Sequence, residues 1–168
     1  VFKLYTNITV NSASALLATP NNNVLIGTAD RGIHKWDTST NQLVALSTNN
    51  GKVNQPVIKE MIQTSKGDIW FINDHEVFRM TNDGNTRQVF APKGTPKPEL
   101  FDDFKQIIVD SDDTIWLGTA KGLFAISKPN EAFEYISLDD PTTNIPQSGY
   151  VTSLDYLADG QLWIGTLT

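Results

Sequence analysis

The chain has 168 residues, with no cysteine, two histidines and two methionines. Without thiols there is no disulfide framework, no thiolate zinc site and no cysteine nucleophile. The compartment stays open, because secreted and cytosolic domains alike can lack cysteine. Charge is also scarce: 19% of residues are charged, below the roughly 25% of an average soluble domain. The balance is acidic, with 13 basic and 19 acidic residues and a net charge of −6. The basic surface that displaces counterions from nucleic acid is therefore missing. No apolar run approaches the ~20 residues of a membrane helix, and the sequence is short of the Ala, Glu, Lys and Leu mixture of long helices. The first residues, Val1-Phe2-Lys3-Leu4, carry neither Met nor a signal-peptide pattern, as expected of a chain trimmed or cut from something longer. What is plentiful is Trp, Phe and β-branched residues, which argues against disorder and for strands joined by turns.

Self-comparison reveals a repeat. The segments NVLIGT (23–28), DIWFIN (68–73), TIWLGT (114–119) and QLWIGT (161–166) align on Leu25, Trp70, Trp116 and Trp163, at spacings of 45, 46 and 47. Nine residues before each anchor stand Leu16, Met61, Ile107 and Leu154; three before stand the turn formers Asn22, Gly67, Asp113 and Gly160. Each unit reads as an apolar strand, a polar turn and a second strand that is apolar at three successive positions. A continuous apolar run means both faces are covered. A third strand follows at 32–37, 76–81 and 122–127, and a weaker fourth at 43–47, 87–91 and 133–137. The stretch 98–104 is compatible with one helical turn.

Four short antiparallel strands at a period near 46, stacked face to face, predict an all-β fold of β-propeller blades. The count does not close, at about 3.5 blades. Residues 1–13 read as the outer strand of a preceding blade and a linker, 14–57, 58–104 and 105–149 as blades, and 150–168 as two strands of a further one. The preferred expectation is a piece of a larger propeller. The alternative is a four-bladed ring whose last blade borrows residues 1–5.

The run Asp112-Asp113-Thr114-Ile115-Trp116-Leu117-Gly118-Thr119 with Gly122-Leu123-Phe124 resembles the two-component regulator propeller repeat, as does Asp159-Gly160-Gln161-Leu162-Trp163-Ile164-Gly165-Thr166. The likeness extends over nearly the whole chain. The second unit departs from it, with Ile72-Asn73 for Gly-Thr and Glu76 where Gly is usual. The resemblance implies the periplasmic sensor region of a bacterial inner-membrane receptor. Its output module, a histidine kinase or a GGDEF-type diguanylate cyclase, would lie outside this chain. Trp36-Asp37 falls in the third strand of one unit only, with no Gly-His partner, so WD40 repeats are rejected.

Chemistry-bearing motifs are few. Asp110-Ser111-Asp112-Asp113 lacks the Gly and Glu of a calcium loop, having Ile115 and Lys121 at those positions, and reads as a turn. His34 aligns with Phe78 and Phe124, so a satisfied, partly buried packing histidine is expected there. If strands run outward from the axis, the loops between second and third strands share a face with the long connections into each first strand. Loops on a rigid scaffold commonly bind ligands, which makes Arg31, Asp74, His75, Lys121 and Tyr150 the candidate binding residues. No phosphate loop or catalytic set is legible. The expectation is a non-enzymatic sensor segment, without metal or cofactor, that binds a small molecule such as a saccharide or a partner protein. Its other partners would be the remaining blades of a parent chain, with self-association through exposed blade faces. Nucleic acid is not expected, and membrane contact only through the parent receptor. A protein-interaction scaffold is the runner-up, with a propeller lyase or hydrolase behind it.

Overall fold

The computed structural model describes residues 12–29, 31–46, 57–81, 86–89, 102–127, 132–136, 138 and 149–167. They form fourteen strands and, among the described residues, no helix. The first sheet holds β1 (Ala13–Ala18), β2 (Asn23–Thr28), β3 (Ile33–Asp37) and β4 (Gln42–Leu46) in that order. The second holds β5 (Glu60–Gln63), β6 (Ile69–Ile72), β7 (Val77–Met80) and β8 (Thr86–Val89). The third holds β9 (Phe104–Val109), β10 (Ile115–Thr119), β11 (Gly122–Ser127) and β12 (Ala132–Ile136). The last pairs β13 (Val151–Tyr156) with β14 (Leu162–Thr166). Every pairing is antiparallel between sequence neighbours. The first strands lie side by side, β1 next to β5, β5 next to β9 and β9 next to β13, as strands around a common axis do. The fold is a partial β-propeller of three four-stranded blades and the first hairpin of a fourth.

The turn between first and second strands follows from one repeat position. Asn22, Gly67, Asp113 and Gly160 all adopt positive φ, at 57°, 86°, 64° and 87°. Gly reaches this region freely, and Asn and Asp are the other residues that tolerate it best. The backbone closes over each turn in the same way, with Thr19, Thr64, Asp110 and Leu157 donating to Asn23, Asp68, Thr114 and Gln161. Asp110 adds a side-chain lock, accepting from the amides of Asp112 and Thr114 and from Trp116 Nε1 at 2.9 Å each. Across the blade interface, Asp113 accepts from the Ser65 amide at 2.6 Å. The acidic stretch is thus a turn in which the Asp110 and Asp113 carboxylates serve the fold.

Packing between blades repeats one contact. Leu25 shares a core with Met61 and Phe71. One blade on, Trp70 shares a core with Ile107 and Leu117. Trp116 then packs against a core containing Leu154 and Val151. In each case the anchor of a second strand meets the first strand of the following blade. All four residues of β6 are buried: Ile69 and Phe71 face the preceding interface, Trp70 and Ile72 the following one. The motif glycine belongs to the same contact. A Cβ on Gly27 would stand 2.5 Å from Ile58 Cγ2, and one on Gly118 2.6 Å from Val151 Cγ1.

Side chains of the inner strands also bond across the interfaces. Glu60 accepts from the Ile107 amide at 2.8 Å, and Gln106, its repeat equivalent, accepts from the Leu154 amide. These amides sit on the free edges of β9 and β13, where an unpaired donor would otherwise be open to another strand. Burial pushes the Glu60 carboxyl above its ordinary pKa, while the Ile107 amide and the Gln106 side chain oppose that shift.

Two sequence expectations need amending. His34 is half-buried in β3 opposite Ile26 and Ala45, but its buried Nδ1 has no hydrogen-bond partner among the described residues. Packing decided this position, not hydrogen bonding. Of the expected helical turn, residues 102 and 103 lead directly into β9, which begins at Phe104, and 98–101 lie outside the described residues, as do residues 1–5.

Replacing Gly118 by Val should overpack the last complete interface, at a cost of about 1–3 kcal/mol. Urea denaturation checks this: the midpoint should fall and the slope stay constant, whereas an unchanged midpoint would show that the interface has slack there.

Candidate ligand-binding face

The second-to-third-strand loops are shaped by the last residue of the repeat motif. Thr28 Oγ1 donates to the Gly32 carbonyl at 2.9 Å and accepts from the Arg31 amide at 2.8 Å. Thr119 Oγ1 does the same with Gly122 and Lys121, at 3.0 Å each. Both threonines are fully buried, so each loop leaves its blade in a fixed direction. Where the second unit departs from the motif, Asn73 replaces the threonine and Glu76 the glycine. Asn73 Oδ1 accepts from the amides of His75 and Glu76 at 2.8 and 2.6 Å, and its Nδ2 donates to Glu76 Oε2 at 2.8 Å. The substitution is a matched pair that rebuilds the same loop.

These loops do share one end of the array with the segments entering the first strands. Ala29 donates to the Ser12 carbonyl at 3.1 Å and Ala120 to the Asp103 carbonyl at 3.0 Å. The Phe104 amide reaches back across an interface to the Asp74 carbonyl at 2.8 Å. A β-bulge recurs here in β1, β9 and β13, displacing Ser14, Lys105 and Thr152 from the register. Bulges re-aim a side chain: Ser14 Oγ bonds the Ile58 carbonyl of the next blade, and Lys105 lies 5.2 Å from the centre of the Tyr150 ring, also in the next blade.

A chain of charged groups results. Lys59 Nζ donates to Asp74 Oδ1 at 2.6 Å and to the Phe104 carbonyl at 2.9 Å. His75 Nδ1 is 3.1 Å from Asp102 Oδ1. Lys105 Nζ donates to Asp103 Oδ1 at 2.6 Å. The bond from Lys59 holds the Asp74 carboxyl below the usual carboxylate range. The Asp103 amide lowers Asp102, helped by His75 and, more weakly, by the Lys121 charge. The Asp103 carboxylate raises Lys105, with a further contribution from Tyr150. The backbone of Lys121 is fixed by Tyr135, whose hydroxyl donates to its carbonyl at 3.3 Å. Asp74, His75, Lys121 and Tyr150 therefore gather on one mixed-charge face spanning the last three blades. Arg31 sits at the equivalent loop one blade earlier. Lys59, Asp102, Asp103 and Lys105 belong to the face as well and were missed in the sequence. The signal for two of them was there: Lys59 and Lys105 occupy the same repeat position.

Two open grooves lie at the opposite end of the array. One, of about 630 Å³, runs between Asp110-Ser111 and Tyr156 to Gly160. The other, of about 350 Å³, lies between Leu17, Pro20, Ile62 and Val109. Their carboxylates are occupied by the turns, Asp110 as described and Asp159 by the Gln161 amide at 3.2 Å. The loop face, with charged groups whose pKa values are shifted by their neighbours, is the better candidate for ligand recognition.

A blade stack with a polar, ion-paired loop face is a β-propeller segment built on the common plan of a rigid scaffold with variable loops. No family description matches the chain, and no curated protein matches it in sequence. Among solved structures it is similar to the extracellular domain of BT4673 from B. thetaiotaomicron, described as a one-component system, at 15% identity and a TM-score of 0.71. It is also similar to the extracellular domain of BT3049 from the same organism, described as a hybrid two-component system, at 20% identity and a TM-score of 0.66. Each match covers 95% of this chain and 21% of the other, so the chain spans about a fifth of their length. A streptogramin B lyase is similar at 14% identity and a TM-score of 0.70, over 95% of this chain and 50% of the enzyme. At these identities the likeness establishes the shared propeller fold.

Removing the Lys59 ammonium, as in Lys59→Met, should raise the Asp74 pKa, read by carboxyl-carbon NMR titration. A carboxylate lowered by folding adds stability above its unfolded pKa, about 3.9 for Asp. That stability is lost as the pH falls through the folded value. An unmoved Asp74 titration would remove the Lys59 bond as its cause.

Proposed function

We propose that this chain is a ligand-sensing segment of the extracytoplasmic propeller of a bacterial signal-transduction receptor. The parent would be a hybrid histidine kinase or a GGDEF-type diguanylate cyclase anchored in the inner membrane, with the segment facing the periplasm. What carries the reading is the likeness, over nearly the whole chain, to two extracellular domains of B. thetaiotaomicron signalling systems. The ligand is a small polar molecule such as a saccharide, or a partner protein, received on the face of Asp74, His75, Lys121 and Tyr150 with Arg31 beside it. Oriented carboxylates and ammoniums suit hydroxyl groups, and the Tyr150 ring offers a surface for the apolar side of a sugar. Binding transmits a signal only where the ligand prefers one receptor state, because equal affinity for both shifts nothing. The segment itself is not an enzyme; kinase or cyclase chemistry resides elsewhere in the receptor.

A scaffold reading is favoured by one further neighbour, YCF48 bound to a D1 peptide, similar at 13% identity and a TM-score of 0.62. The lyase neighbour keeps an enzymatic reading in third place.

Amide chemical-shift mapping with cellohexaose and with an oligogalacturonate tests the proposal. Shifts should concentrate at residues 74–75, 102–105, 121 and 150, and the Arg31→Glu/Lys121→Glu double variant should weaken binding by about tenfold or more while remaining folded. Shifts confined to the opposite grooves, or an unchanged affinity in the double variant, would contradict it.

A further inference from the structure

The second and third blades, each with a neighbour on both sides, meet on the loop face at one carboxylate. Asp102 Oδ1, on the way into β9, accepts from the Asp103 amide at 2.8 Å and lies 3.1 Å from His75 Nδ1 of the preceding blade. The bond from Ala120 to the Asp103 carbonyl brings the Lys121 loop alongside, and the Lys121 charge is felt at Asp102. The other charges around His75 have partners of their own. Asp74 is bonded by Lys59, Asp103 by Lys105 and Glu76 by Asn73. Two groups are left over: neither the Lys121 ammonium nor His75 Nε2 makes a hydrogen bond among the described residues.

Asp102 fixes the tautomer of the ring. An ionised carboxylate only accepts, so His75 Nδ1 carries the proton and Nε2 of the neutral imidazole is an acceptor. Protonation turns Nε2 into a donor and adds a positive charge near the Lys121 ammonium, while the Nδ1 bond stays as it is. Asp74 and Asp102 are both held below the usual carboxylate range, so mild acid changes the ring and leaves these two neighbours ionised. A hydroxyl can donate to the neutral ring or accept from the protonated one. A carboxylate can only accept, so it distinguishes the two states.

We propose that the loop face takes a carboxylate-bearing ligand, received between His75 Nε2 and the Lys121 ammonium, and that it takes this ligand together with a proton on His75. The proposal deepens the sensing reading and rests on it for the place of the site. The coupling is reciprocal: acid strengthens binding of the anion, and the bound anion favours the protonated ring. The equivalent loops of the first and third blades carry Arg31 and Lys121 in place of a histidine. The response is therefore confined to the loop that Asn73 and Glu76 rebuild, at the junction with the entry to β9.

Calorimetric titration with an oligogalacturonate and with neutral cellohexaose, each at about pH 5 and pH 8, tests it. The oligogalacturonate should bind about fivefold more tightly at the lower pH, the effect of one added charge at an exposed site. Cellohexaose should change by less than about twofold, because it carries no charge for the ring to meet. In His75→Gln, its fold verified by circular dichroism, the pH dependence should vanish. Lys121→Gln should weaken the oligogalacturonate at both pH values and keep the ratio between them. Equal oligogalacturonate affinity at the two pH values, or a pH dependence that survives in His75→Gln, would overturn the proposal and leave the sensing reading standing. Failure of both saccharides to bind at either pH would overturn the two together.

Discussion

Each four-stranded sheet in this chain is too thin to have an interior of its own. Its second strand is apolar on both sides, and β6, buried at all four positions, has no stable existence outside a stack. The contact that resolves this is the meeting of Leu25 with Met61, Trp70 with Ile107 and Trp116 with Leu154. Because it always links one blade to the next, the cores lie between the sheets. Stability in such an array is a sum of nearest-neighbour interfaces, and the motif glycines are what allow the sheets to approach closely enough to form them.

The loop face depends on that stack. Its ion pairs are exposed, and exposed pairs contribute little stability by themselves. What keeps Asp74, His75, Lys105 and Tyr150 together is the spacing of three successive blades and the bulge that turns each first strand's side chain toward its neighbour. The backbone bond from Phe104 to Asp74 ties a loop of one blade to the entry strand of the next. A ligand bound here would touch several blades at once, so a small change in blade angle would alter its contacts.

Much of this was legible in the sequence because the fold is periodic. The turn residues Asn22, Gly67, Asp113 and Gly160 all stood at one repeat position, and all four take the left-handed conformation that this position demands. The continuous apolar run of the second strand predicted a strand covered on both faces. What was not legible came from contacts between repeats. Lys59 bonds Asp74 within its own blade and the Phe104 carbonyl of the next, and the second of these contacts is one that no single repeat encodes. Asp102 and Asp103 precede a strand without belonging to the motif, so the pattern offered no reason to place them beside His75 and Lys105. The second unit looked degenerate in sequence, yet Asn73 and Glu76 replace the lost Thr and Gly by bonding each other, a compensation visible only in three dimensions.

The central claim is that stability resides in the interfaces and therefore peaks where a blade has neighbours on both sides. Native-state hydrogen exchange measures this directly, residue by residue. Amides of β6 and β10 should be the slowest to exchange, those of β2 intermediate and those of β14 the fastest. Uniform protection across all four sheets, or a β14 as protected as β6 in a monomeric sample, would contradict the account.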